Sequence, residues 1–224
     1  MNIVELRNYL LKPGTRDSFI EYFKDHFVES QQVLSAYIPG LFRIKDEDNR
    51  FFWIRGFDSM QERSRFLPTF YGGEVWKEFG PAANDMMLEW HDVYLIKPLV
   101  TNKNSFPLGK GIFVLDYYKA KDKQFNKLVD LFNTEYIPLL NKLNVNTTTL
   151  WICEMSENDF PGLPVYQDQN LLVVITGYEN EPEYESTLNV LNTSGKEITI
   201  PIKEMVKEKN SLILYPAEKL NIEN

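Results

Sequence analysis

The sequence predicts an α+β chain made of two copies of one unit. Three observations carry this reading. The patterns over residues 1–98 run strand, helix, strand, strand, helix, strand; the same order returns over residues 111–216 after a polar stretch; and each copy carries more aromatic residues on its strands than one helix-covered face requires. With 224 residues, 43% of them hydrophobic, the chain is long enough to bury a core in each copy.

The opening strand organises the first copy. Val4, Leu6 and Leu10 share one side of it and Glu5, Arg7 and Tyr9 the other, because strand side chains alternate between faces. Pro13-Gly14 ends the strand, and Thr15 is placed to cap a helix. Phe19, Ile20, Phe23 and Phe27 then recur at helical spacing, into the Gln31-Gln32 region. A strand from Leu41 to Ile44, a polar turn over residues 45–50 and a strand from Phe51 to Phe57 read as a hairpin. Asp58-Ser59 offers caps for a helix over residues 60–67 that Pro68 breaks. Trp76 and Phe79 mark a short helix, Pro81 opens another turn, and residues 88–97 form the last strand. This order is the ferredoxin-like βαββαβ unit, a four-stranded antiparallel sheet with both helices on one face.

Residues 101–110 read as a linker between a first domain, 1–100, and a second, 111–224. In the second, strands are expected at residues 112–119, 147–155, 171–178 and 211–215. A long helix carries Phe125, Leu128, Phe132, Tyr136 and Leu140, and a short one covers residues 183–191. Each helix-free sheet face needs cover, and packing the two sheets face to face as a barrel-like sandwich supplies it. Tyr9, Trp53 and Phe57 are assigned to that helix-free face.

Several function classes are disfavoured. A net charge of -8 argues against nucleic acid and anionic membranes, which both call for a basic footprint. No apolar run reaches the roughly 20 residues of a membrane span. A single cysteine, Cys153, fits a reducing compartment, and a cytoplasmic chain is expected. No Gly-rich phosphate loop, Cys-x-x-Cys pair or nucleophile elbow is present. No metal is expected, since adjacent His91 and Asp92 point to opposite faces of a strand, and no cofactor is assigned.

What remains is a constellation. Glu5, Arg7 and Tyr9 share a face, as do Trp53 and Arg55 on a neighbouring strand. A buried arginine has to be paired, so a structural ion pair of Glu5 with Arg7 or Arg55 is one account. The other has an arginine holding an enolate, carboxylate or carbonyl of a small ligand while Tyr9 or His91 moves a proton. Arg63 and Arg65 read as solvated charges pairing with Glu62, and Cys153 as a buried, inert thiol. Residues 158–168, with Phe160 and Tyr166, form a long loop expected to fold over the cavity as a lid.

Glu5-Leu6-Arg7-Asn8-Tyr9 with Lys12-Pro13-Gly14, then Gly40-Leu41-Phe42, Ser59 with Glu62-Arg63, Trp76-Lys77-Glu78-Phe79, and Asn158 through Val165 together resemble the NIPSNAP family of the dimeric α/β-barrel superfamily. The resemblance implies two ferredoxin-like halves in a pseudo-dimeric barrel, within a superfamily of cofactor-free monooxygenases, small-molecule isomerases and haem-handling proteins. The chain departs from the family pattern by Arg55 where an aromatic often stands in the middle strand. It departs again by Gly162 and Tyr166 where basic residues often stand, which argues against an anion-recognising pocket built there.

The resulting expectation is a protein that binds a small, partly apolar organic molecule in the barrel interior, with cofactor-independent oxygenase or isomerase activity. Arg55, His91 and Tyr9 are its candidate catalytic residues, and Glu5, Arg7, Trp53, Phe57, Phe160 and Tyr166 its candidate ligand contacts. The alternatives are a non-catalytic interaction module and, more remotely, a haem-handling protein with His91 as axial ligand. A monomer and a homodimer both fit, since strand edges are left over.

Overall fold

The computed structural model describes residues 1–99, 111–145 and 147–217. The expected linker at 101–110 lies outside the described residues. Two compact units emerge. The first comprises Met1–Lys97, Glu154–Gln167 and the described residues from Tyr215 on; the second comprises the described residues of Pro98–Cys153 and Asp168–Leu214. The segment read as a lid, although it follows a strand of the second unit, thus belongs to the first.

In the first unit β1 (Ile3–Leu11) leads into α1 (Arg16–Phe23), a π-helical turn (Lys24–Val28) and α2 (Glu29–Gln32), which run on as one helical stretch. β2 (Tyr37–Ile44) and β3 (Glu47–Phe57) form the hairpin; α3 (Met60–Gly72), α4 (Glu74–Met86) and β4 (Met87–Pro98) complete the unit. The sheet order is β4-β1-β3-β2, antiparallel throughout. The second unit repeats it with β5 (Ile112–Ala120), α5 (Phe125–Leu131), a π turn (Phe132–Tyr136), α6 (Ile137–Lys142), β6 (Thr148–Cys153), β7 (Leu171–Tyr178), α7 (Glu181–Asn192), α8 (Lys196–Met205) and β8 (Val206–Pro216). Its order, β6-β7-β5-β8, is the same topology.

Local chemistry accounts for most boundaries and tertiary packing for the rest. Ser59 caps α3 as expected, its hydroxyl accepting from the Glu62 amide at 3.2 Å. Thr15 precedes α1 without capping it; its hydroxyl instead donates to the Lys12 carbonyl at 2.7 Å and tightens the Pro13-Gly14 turn. The β2–β3 turn is only Lys45-Asp46, with Asp46 at φ 60°, so the polar residues from Glu47 to Arg50 lie in β3. Pro68 sits inside α3 instead of breaking it, and Pro81 lies within α4, which runs unbroken from the short helix expected at Trp76 and Phe79. Burial of Phe66, Leu67 and Phe70 on the α3 face outweighs the roughly 3 kcal/mol a mid-helix proline costs. α8 was not expected, because Ile-Thr-Ile-Pro-Ile has the composition of a strand.

The core of the first unit lies between its sheet and its helices. Phe51 is fully buried there, its ring 5.2 Å from Phe19, 5.3 Å from Phe23 and 6.3 Å from Tyr9. The opposite face of the same strands, with Val4, Leu6, Phe52 and Ile54, is buried as well. No helix among the described residues is long and apolar enough to cross a membrane. Phe51→Ala is expected to destabilise the protein by about 3–5 kcal/mol, the cost of an aromatic-sized cavity. Urea unfolding measures it, and a loss below about 1 kcal/mol would contradict the packing described.

Candidate functional site

Register brings the site together. Across β1 and β3, Glu5 pairs with Arg55, Arg7 with Trp53 and Tyr9 with Phe51, so alternation sets all six side chains on one face. That face is the one under the helices. The Tyr9 ring meets Phe19 at 6.5 Å, Trp53 meets Phe23 at 4.6 Å, and Phe57 meets Phe66 at 5.2 Å. The expectation that Tyr9, Trp53 and Phe57 occupy the helix-free face is therefore corrected. Both faces of β1 and β3 are buried, and the face carrying Glu5, Arg7 and Arg55 can lie under the helices because its charges pair with one another.

Glu5 is the hub. Its carboxylate Oε2 accepts from Arg7 Nη1 at 2.7 Å and Arg55 Nε at 2.8 Å, and its Oε1 accepts from Arg63 Nε at 2.7 Å. Arg55 Nη2 is 2.6 Å from Oε2, an ion pair whose angle falls outside a hydrogen bond. All four residues are completely buried. Burial by itself pushes the Glu5 carboxyl up, but the charges of Arg55, Arg7 and Arg63 outweigh it and hold the group far below the usual carboxylate range. The ion-pair account given from the sequence has Glu5 with Arg7 or Arg55; the structure gives it both, and Arg63 as well.

One carboxylate against three guanidinium groups leaves a surplus of two positive charges, eased by neutral acceptors. Arg7 Nε donates to the Tyr9 hydroxyl at 2.8 Å. Arg55 Nη1 donates to Gln31 Oε1 at 3.0 Å and the Tyr71 hydroxyl at 3.3 Å. Arg63 Nη1 donates to Asn158 Oδ1 at 3.0 Å, with the half-exposed Asp159 carboxylate 3.7 Å away. Arg7 and Arg55 each lie 5.3 Å from the Trp53 ring centroid. Besides Arg55 Nη2, three buried donors at this place have no hydrogen-bond acceptor among the described residues: Arg7 Nη2, Arg63 Nη2 and Trp53 Nε1. Such groups are rare in native interiors and call for a reason.

Beside the cluster lies a cavity lined by Tyr9, Phe23, Gln31, Trp53, Tyr71 and Trp76, with Phe19, Phe27, Phe70, Ala83 and Met87 completing its wall. The space within it that can hold the centre of a water molecule is about 20 Å³. Tyr9, Gln31 and Tyr71 belong to both cavity and cluster, so the guanidinium groups bear directly on its polar end. Burial raises the Tyr9 phenol above its ordinary value despite Arg7, so it is protonated and able to donate at neutral pH.

The residues singled out from sequence fall into three groups. Glu5, Arg7, Tyr9, Trp53 and Arg55 are assembled at the site. Phe57 and Phe160 support it from behind, Phe57 through Phe66 and Phe160 by stacking on Tyr71 at 6.0 Å. His91 and Tyr166 are elsewhere. His91 is exposed on β4 with its ring beside Trp90, and Tyr166, 48% exposed, packs on Tyr94, its amide donating to the Val93 carbonyl at 2.7 Å. Neither lines the cavity, so the structure does not place His91 where it could serve as its base or as an axial ligand. Cys153 is buried, which raises its thiol.

Sequence reasoning missed Arg63, Gln31, Tyr71 and Trp76. For Arg63 the signal was present: with Phe66, Leu67 and Phe70 it completes the buried α3 stripe, while Arg65 is the exposed partner of Glu62 at 2.9 Å. Gln31 likewise sits four residues beyond Phe27 on the apolar face, its amide donating to the Phe27 carbonyl at 2.7 Å.

No family model and no curated protein matches the sequence. Solved structures do. A putative monooxygenase from Lactobacillus acidophilus matches with TM-score 0.65 and 15% identity, over 96% of this chain and 94% of that one. An anthrone oxidase-like protein matches with TM-score 0.58 and 10% identity, over 100% of this chain and 97% of that one. A NIPSNAP family protein with unknown function from Agrobacterium tumefaciens matches with TM-score 0.42 and 21% identity, over 46% of this chain and 92% of that one. The full-length likenesses show the fold: an α+β chain of two ferredoxin-like repeats.

Glu5→Gln is expected to destabilise the protein by about 3–5 kcal/mol near neutral pH, because three buried cations lose their counter-charge. The native carboxyl titrates below its unfolded value of about 4.3. Its contribution is therefore complete above that pH and shrinks as the pH falls toward the native value. Urea unfolding of both proteins at about pH 7 and about pH 3 tests this: the gap between them narrows in acid, and an unchanged gap refutes the linkage.

Proposed function

We propose that the first unit binds a small, partly apolar organic molecule in the cavity beside Glu5, and that the chain oxidises it with dioxygen without a bound cofactor. The observation that carries this reading is an aromatic cavity whose polar wall, Tyr9, Gln31 and Tyr71, is hydrogen-bonded to buried guanidinium groups, an apolar body site backed by positive charge. The fold shared with a putative monooxygenase and an anthrone oxidase-like protein favours oxygen chemistry over isomerisation.

In this reading the aromatic walls hold the apolar part of the substrate, and Arg7 and Arg55 stabilise the oxyanion left when the carbon next to its carbonyl or ring has given its proton to solvent. Tyr9, protonated and within reach of the cavity, donates a hydrogen bond to the same oxygen. The carbanion passes its electrons to dioxygen; one oxygen atom stays on carbon as a carbonyl and the other leaves as water, so a CH₂ group becomes C=O. Glu5, locked in its ionised form by three arginines, serves as counter-charge and takes no proton near neutrality. Entry of a ring-sized molecule requires side chains of the cavity wall to move, since the space free for a water centre is small.

The test pairs binding with turnover. Thermal-shift measurements with 1-naphthol and anthrone are expected to show stabilisation, by mass action. Oxygen uptake with the same probes is expected to fall at least about tenfold in Tyr9→Phe, the lower range for loss of a positioned proton donor. No stabilisation and no oxygen uptake with either probe would leave the cavity as structural packing only.

A further inference from the structure

We infer that the ligand of this cavity binds as an oxyanion, an acidic phenol, enol or carboxylate on an apolar body, with its charged oxygen at the Trp53 Nε1 donor on the cavity wall, drawn there by the surplus positive charge of the Glu5 cluster behind it. The inference rests on the cavity reading above and names the chemical class of the ligand.

Three observations converge on it. Even with Asp159 beside Arg63, the Glu5 cluster keeps one uncompensated positive charge in a fully buried place, where a lone charge is costly and an anion is drawn in. Trp53 Nε1, on the cavity wall, and Arg7 Nη2 and Arg63 Nη2 in the cluster are donors without a hydrogen-bond acceptor among the described residues, and all belong to residues at least nine-tenths buried. No carboxylate, imidazole or amine is among the described residues that line the cavity. A substrate that needed its proton removed there would meet no base, so one that arrives already ionised fits the site.

The second unit serves as an internal control. Its strands pair Ile112 with Tyr178 as the first unit pairs Ile3 with Phe57, and Asn180 caps α7 as Ser59 caps α3. By that correspondence Glu5 becomes Val114, Arg7 becomes Asp116, Arg55 becomes Thr176 and Arg63 becomes Tyr184. Every arginine in the chain precedes residue 66. Asp116 there is matched locally, accepting from Tyr118 at 3.3 Å and from Ser211, with Lys209 Nζ at 3.0 Å. The second unit thus carries a satisfied acid where the first carries excess cations, and the anion site is single in each chain.

Equilibrium dialysis of the full chain with 4-nitrophenol and its neutral methyl ether, 4-nitroanisole, tests the inference. The phenol is expected to bind at least tenfold more tightly, once per chain, with the bound form showing the yellow phenolate band; a charge-assisted contact is worth about this factor or more. Arg63→Gln is expected to remove most of that preference and Arg63→Lys, which keeps the charge, to restore part of it, with folding checked by circular dichroism. Should the Gln variant not fold, the two probes on the native chain decide alone. Equal binding of the two, a colourless bound phenol, or two phenols per chain overturns the oxyanion assignment and leaves the cavity reading standing. Binding by neither overturns both.

Discussion

The Glu5 carboxylate holds the first unit's interior in its arrangement. Two of its arginine partners come from adjacent strands and the third from α3, so one side chain ties the sheet to the helix layer. Each arginine then passes the constraint outward, Arg7 to Tyr9, Arg55 to Gln31 and Tyr71, and Arg63 to Asn158 in the segment Glu154–Gln167. Burying these charges is expensive compared with an apolar core of the same volume. A site needing fixed guanidinium groups out of water has use for that expense, because such donors act more strongly there and need not reorganise.

The two units show how one topology accommodates two interiors. Both keep the strand order, the capped helix after the third strand and a π turn at the same place in the first long helix. Those π turns carry the fully or nearly fully buried Phe27 and Phe132, so the extra residue per turn serves packing in both units. Phe132 meets Tyr118 at 5.0 Å and Tyr136 at 4.7 Å in a tyrosine-rich interior, whereas Phe27 belongs to a wall of phenylalanine and tryptophan. The topology is common to both, and the charge is confined to one.

The segment Glu154–Gln167 joins the first unit by a short run of specific contacts. Leu163 is buried in that unit's core, Phe160 stacks on Tyr71, and the Asn158 amide donates to the Leu163 carbonyl at 2.9 Å to shape the turn. Its amide and carbonyl groups at Glu154 and Tyr166 pair with β4. A stretch that looked like a surface lid is a structural part of the wall carrying Arg63 and Tyr71.

Element type and order were legible in the amino-acid sequence, since alternation in strands, helical spacing of Phe19, Phe23 and Phe27, and Pro-Gly punctuation act over a few residues. So was the gathering of Glu5, Arg7, Tyr9, Trp53 and Arg55, because period two puts them on common faces. Tertiary structure alone decided which face meets the helices, because both are apolar enough to be buried. It alone decided that Arg63 turns inward to a carboxylate 58 residues away, and that His91 stays in water. The spacing of Arg63 with Phe66, Leu67 and Phe70 puts it on the apolar stripe of α3, but a charge there is tolerable only with a buried counter-charge from a distant strand, and no local pattern records that partner.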